Sequence, residues 1–265
     1  MRRASGNKAA RGLVAGLVAV FALALSAGCG GSEPDQTPVV VLISDVSGST
    51  KELRGKSNIF KNGISETIQK TAQAEGQLWA TRAEAAVIAN STWLTNGKKF
   101  EAPEGGDEYQ KEELAAGGSV EDSKVNGKLR ASGGNPGSDL LGALNFAENV
   151  FKNYPNKTRD LVLLTDGGIN SRGVDWMRNL PTDPAKQDAL VKKLKASGEL
   201  SPNGLTGGSG KPVNVWIGGL GYGLTGNGGR DARSVRELWA KLIEASGGKL
   251  VQADSNLNLI NFPQG

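Results

Sequence analysis

Two apolar patterns alternate along most of the chain. Short, nearly continuous runs, "VVVLIS" from Val39, "DLVLLT" from Asp160 and "VNVWIGG" from Val213, have the length and β-branched content of buried strands. "QLWATRA" from Gln77 and "KLVQA" from Lys249 read the same way, with "AAVIA" from Ala85 as a further candidate. Between these runs the apolar residues change to helical spacing. Phe60, Ile64 and Ile68 form one stripe, Leu140, Leu144, Ala147 and Phe151 a second, and Val235, Leu238, Trp239, Leu242 and Ile243 a third. Residues 184–198 predict a fourth, more polar helix, and Gly247 and Gly248 close the last one as glycines do at helix C-termini. Strands and helices in alternation predict a doubly wound α/β fold, a mostly parallel sheet flanked by helices. Trp216 and Trp239, one on a strand and one on a helix, are expected in its core.

Two stretches interrupt this plan. Residues 101–123 hold eight acids, from Glu101 to Asp122, against Lys111 as their single base. They predict a solvated acidic loop within an insertion spanning about 101–131. A calcium loop would need Asp-x-Asp-x-Asp-Gly spacing, which is missing. The glycine-rich "ELSPNGLTGGSGK" of residues 199–211 predicts a flexible surface loop.

The N-terminus follows another grammar. Arg2, Arg3, Lys8 and Arg11 precede the apolar stretch "LVAGLVAVFALALSAG" and then Cys29. Basic, apolar and small residues in that order form an export signal, and the apolar part is short for a spanning helix. "LSAGC" resembles the lipobox of bacterial lipoproteins, which implies a lipidated Cys29 as the mature N-terminus. Ser26 stands where that family prefers leucine, with Leu25 one place earlier. The alternatives are an uncleaved anchor or a plain secretory signal. All three export the domain, so the expected location is the cell membrane, lipid-anchored, facing outside the cytoplasm. The expected organisation is a signal over 1–28, a tether over 29–37, a folded domain over 38–257 and a tail over 258–265.

Those four basic residues account for the whole net charge of +4. The exported part is formally neutral, so the basic composition is no argument for a nucleic-acid partner. With Cys29 as the only cysteine, no disulfide can form within the chain. Histidine is absent, which excludes Ser-His-Asp catalysis and removes the usual zinc ligands.

The candidate chemistry lies where strands end. "SDVSGS" places Asp45, Ser47 and Ser49 after the first strand, "GSDLLGAL" places Ser138 before a helix, and "LLTDGG" places Asp166 after a later strand. In a doubly wound sheet the loops at the carboxyl ends of adjacent parallel strands converge at the topological switch point. Five oxygen donors meeting there suit a magnesium or manganese ion, which takes six oxygens near 2.1 Å and keeps a position open. Most of these donors are neutral, so the ion would retain positive character toward an acidic group from another molecule.

At these residues the chain resembles the von Willebrand factor A domain family, over roughly residues 38–257. That family's metal-ion-dependent adhesion site is an Asp-x-Ser-x-Ser after the first strand, a threonine before a central helix and an aspartate in a "TDG". "DVSGS", "GSDLLGAL" and "LLTDGG" follow that order here, with Ser138 in the threonine's place. The resemblance implies a binding module rather than an enzyme, with a protein ligand offering Asp or Glu to the cation. Arg172, Trp176, Arg178 and Tyr222 are the expected rim of the ligand site. The second class of reading is a scaffold component of a cell-envelope assembly whose metal only stiffens the loops. A haloacid-dehalogenase-like phosphatase needs a second aspartate two residues after the first, where Ser47 stands. "GYGLTG" from Gly221 fits a dinucleotide fingerprint in letters, yet follows a late strand and does not run directly into a helix.

Overall fold

Strand β1 (Val39–Asp45) is buried at all seven positions, as a strand covered on both faces must be. In the computed structural model the described residues are 37–55, 57–84, 93–130, 137–171, 174–175, 180–206, 208–222 and 232–263. The chain divides into a unit of residues 1–32, which lies outside them, and a unit of residues 33–265. From β1 the chain passes through the short α1 (Lys51–Arg54) and α2 (Ile59–Gln73) to β2 (Gln77–Ala83) and β3 (Thr95–Lys99). Helices α3 (Asp107–Arg130) and α4 (Leu140–Phe151) lead to β4 (Arg159–Leu164), followed by two two-residue strands, β5 (Asn170–Ser171) and β6 (Val174–Asp175). Then come α5 (Pro184–Ala196), β7 (Asn214–Gly218), α6 (Ala232–Ala245) and β8 (Lys249–Asp254).

Six strands form the main sheet in the order β3-β2-β1-β4-β7-β8, while β5 and β6 pair separately. All its pairings are parallel except β2 with β3. The fold is a doubly wound α/β sheet. Its order reverses between β1 and β4, so the carboxyl ends of these two strands define the switch point. One face of β1, Val39, Val41 and Ile43, packs with α4, α5 and α6. The other, Val40 and Leu42, packs with α2, α3, Leu259 and Phe262, so the core extends past residue 257. Trp216 and Trp239 are both buried, as expected.

Local chemistry sets the helix ends. Asp139 accepts the Gly142 N–H and caps α4, and Asp183 accepts the Lys186 N–H to cap α5, with Pro184 in its first turn. Helix α6 ends where Gly247, at φ 79°, lets the Gly248 N–H reach back to the Ile243 carbonyl.

The acidic stretch is not a loop. Residues 107–130 form α3, packed along α2. Leu114, Gly118, Val125 and Leu129 make a buried stripe, and the acids find separate uses. Asp107 and Glu108 occupy the first turn, where the helix dipole favours them, while buried Glu121 bonds Thr95 and Lys124. Asp122 accepts from Ser65 and Asn126. Charge density concealed a helical period that had few apolar members.

The described residues of the stretch 199–211 are pinned rather than loose. Leu200 and Leu205 are buried, and the Arg159 guanidinium donates to the Thr206 carbonyl, the Ser209 hydroxyl and the Lys211 carbonyl at 2.7–2.8 Å. Strand β3, with the sequence "TNGKK", was invisible to apolar patterning because it is a largely exposed edge. The candidate strand "AAVIA" lies outside the described residues, as does Cys29. Among the described residues no helix is long and apolar enough to cross a membrane.

Candidate metal centre

Asp45 closes β1 and is fully buried. Its Oδ1 accepts the Ser47 N–H at 2.8 Å, which folds the chain back into a tight turn. Its Oδ2 accepts two hydroxyls, from Thr165 at 2.9 Å and from Ser138 at 3.2 Å. Ser138 is held in reach from both sides: the following N–H, of Asp139, donates to the Glu84 carbonyl beyond β2, and the Asp139 side chain caps α4. The Ser47 and Ser49 hydroxyls stand 3.0 Å apart, Ser47 buried and Ser49 exposed.

The turn is braced from behind. The Thr50 hydroxyl lies 2.9 and 3.0 Å from the Asp45 and Ser47 carbonyls. Arg54 donates to the Val46 and Ser47 carbonyls and, through Nε, to Thr50 Oγ1. Asp166 follows β4, and its Oδ1 accepts the Gly168 N–H while its carbonyl accepts the Gly221 N–H. Gly167 turns the chain there at φ 88°, and a Cβ on it would lie 2.6 Å from Leu220 and 2.7 Å from Val235. Buried Trp239 donates to the Gly167 carbonyl, so this core residue also holds the Asp166 loop.

The electrostatics follow from two acids brought out of water together. Burial pushes the Asp45 carboxyl up to about 7, the nearby Asp166 charge adds to this, and hydrogen bonds from Ser47 and Thr165 pull it back. Asp166 is also raised by burial, against the pull of the Ser49 hydroxyl and the Gly168 N–H. A divalent cation between them would remove both penalties. The donor set fits such an ion: two carboxylates with several hydroxyls is a magnesium-like shell. Among the described residues no three His, Cys, Asp or Glu side chains cluster, so any cation here would rely on neutral oxygens for most of its shell. The Ser138 proton is directed into Asp45, which leaves that oxygen's lone pairs for a cation.

No protein-family model matches the sequence, and no curated protein matches it. The solved structures to which the chain is similar, all at low identity, include the following three. One is a von Willebrand factor type A protein from Catenulispora acidiphila, with 16% identity, a TM-score of 0.44, and coverage of 83% of this chain and 39% of that one. Another is the open form of the pilus adhesin SpaC from Lactobacillus rhamnosus GG, with 14% identity, a TM-score of 0.49, and coverage of 83% and 28%. The third, an aerotolerance-related membrane protein from Bacteroides fragilis, has 13% identity, a TM-score of 0.39, and coverage of 82% and 92%. The chain thus spans well under two thirds of the first two. Its fold class rests on its own strand order and register.

All five sequence-derived donors are at the carboxyl edge of the sheet around β1 and β4. Direct hydrogen bonds join Asp45 to Ser138 and Ser47 to Ser49. Of the rim residues, Arg172, Trp176 and Arg178 lie outside the described residues. Tyr222 is half-buried, packed against the α2 side of the core, and follows the Gly221 that binds the Asp166 carbonyl. Apart from Gly221 and Tyr222, the "GYGLTG" stretch is not described. Sequence reasoning missed Thr165, Thr50 and Arg54. Thr165 was in view, since a hydroxyl directly before the aspartate of "TDG" can bond an acid on the neighbouring strand. Arg54 had no local signal, because its target carbonyls belong to a turn whose shape only the fold sets.

Proposed function

We propose that the chain is an exported, lipid-anchored binding module of the von Willebrand factor A type that engages an acidic protein partner through one divalent cation. The observation that carries this reading is the meeting of Asp45, Ser138 and Thr165 in one buried cluster across sequence separations of 93 and 120 residues, with Asp166 close enough to raise Asp45.

Asp45, Ser47, Ser49, Ser138 and Asp166 would hold the ion, either Mg2+ or Mn2+. Once bound, it supplies a positive centre with a coordination position that a partner carboxylate can fill. The chain's own residues do the rest. Asp45 accepts hydrogen bonds from the Ser138 and Thr165 hydroxyls and so orients their oxygens, while Thr50 and Arg54 hold the serine turn against collapse. Arg172, Trp176, Arg178 and Tyr222 would line the partner's approach. Lipid on Cys29 would keep the module at the membrane surface. No reaction is assigned to the site.

Calorimetric titration of magnesium and of manganese into the full chain in detergent tests the reading. One ion per chain is expected for the parent and none for Asp45→Ala, whereas a parent that takes up neither ion defeats the cation mechanism. The bracing by Thr50, Arg54 and Thr165, which needs no ion, favours the scaffold reading as the second choice. A partner crosslinked in the native membrane and still retained in chelator would put that reading first.

A further inference from the structure

A cavity of about 380 Å³ opens beside the serine turn, between α1, the start of α2 and the end of α3. Its floor is apolar and buried, formed by Phe60, Ile64 and Leu129. Among the described residues, four cationic side chains surround it, Lys51, Arg54, Lys61 and Arg130, and no Asp or Glu lines it. Among the described residues Lys51, Lys61 and Arg130 have no side-chain ion pair, and Arg54 gives its N–H groups to neutral oxygens only. Like charges gathered around one apolar hollow repel, whereas ordinary surfaces intersperse the two signs.

A second observation is independent of those charges. Ser44 lines the same cavity, is 1% exposed, and its Oγ has no hydrogen-bond partner. It stands in register with Val40 and Leu42 on the α2 side of β1, a position where an apolar residue would serve packing better. Buried hydroxyls are nearly always paired, so one left without a partner in the wall of a cavity asks for a ligand oxygen. The start of α2 adds to this. Its N-cap, Asn58, also lines the cavity yet makes no side-chain cap, and the one side chain that meets a first-turn N–H is the neutral Ser57 hydroxyl, 3.4 Å from the Ile59 nitrogen, so no charge offsets the positive end of the helix there. The end of α3 brings the opposite dipole, and Arg130 in its last turn offsets it.

We infer that this cavity is a second binding site, separate from the metal centre, for a phosphate monoester carrying a small apolar group. Phosphate is favoured because its three terminal oxygens can accept from guanidinium, ammonium and hydroxyl donors at once, where a carboxylate offers two. The apolar floor calls for an organic body on the ester, and the volume lies at the small end of the range for small-molecule sites. The inference does not rest on the cation reading, because none of the five proposed metal donors lines the cavity.

The test is calorimetry on the full chain in detergent with chelator present, so that no divalent ion can hold the ester. Phenyl phosphate is expected to bind once per chain, at least tenfold more tightly than inorganic phosphate. Replacing the exposed pair, Lys61→Ala with Arg130→Ala, should weaken it at least tenfold without moving the melting temperature, and Ser44→Ala should weaken it severalfold. Short-chain dihexanoyl phosphatidic acid, titrated in parallel, separates a lipid headgroup from a free metabolite: tighter binding than phenyl phosphate supports the site with a lipid source, and weaker binding supports it with a soluble one. No saturable binding of either ester, phenyl phosphate no tighter than inorganic phosphate, or binding unchanged in the double variant overturns the inference. Binding in chelator by a chain that takes up no magnesium would leave this site standing while removing the cation mechanism.

Discussion

At position 45 a carboxylate is held fully out of water, and its pKa stands at about 7 against 3.8 in an open chain. Between those values the folded, metal-free domain binds more protons than the unfolded chain, so its stability falls as pH rises. The contribution is fully present below about pH 4 and lost above about pH 7, a change on the order of 4 kcal/mol for such a shift. Melting in chelator should therefore occur at a lower temperature at pH 8 than at pH 5, and Asp45→Asn should flatten that dependence. Magnesium at pH 8 should restore the parent and leave Asp45→Asn unmoved. The hydroxyl of Thr165 permits a sharper test, because it is bonded to this carboxylate from the adjacent strand. At pH 8, where Asp45 is ionised, Thr165→Val should cost about 2 kcal/mol in urea unfolding, the usual worth of a hydrogen bond to a charged group, and Thr165→Ser should recover most of it.

At the level of elements, α3 shows how composition can conceal structure. Its stripe of Leu114, Gly118, Val125 and Leu129 is interrupted by Glu121, and the rest of the helix is polar. Packing against α2 supplies what propensity does not. Leu114→Ala should cost about 2–3 kcal/mol as a large-to-small change at a buried position, whereas Val120→Ala, at a position 70% exposed, should stay within about 0.5 kcal/mol. If the two variants unfold alike, α3 is not packed as described. The loop after α5 makes the converse point, since its glycines suggested freedom while Arg159 fastens it at three places. In Arg159→Ala, amide hydrogen exchange across residues 206–211 should accelerate by tenfold or more while β1 amides exchange as before.

For the whole molecule, the signal grammar and the fold make separate claims. Incorporation of labelled palmitate into the parent chain but not into Cys29→Ser would establish the anchor, and an unlabelled parent would leave only the export reading. Within the folded part, what the sequence determined by itself was whatever repeats locally. The apolar runs of β1, β4 and β7 and the stripes of α2, α4 and α6 were legible because burial on one or two faces writes a period of its own. "DVSGS", "GSDLLGAL" and "TDGG" could be picked out because each joins a strand end or helix start to oxygen side chains. Tertiary structure decided the remainder, because it depends on which segments become neighbours. Parallel pairing of β1 with β4 brings Thr165 onto Asp45, the α2 and α3 contact turns an acidic stretch into a helix, and four scattered cations share one cavity with Ser44 only where three helices converge. A side chain's local sequence limits what it can bond; the sheet order determines what is there to be bonded.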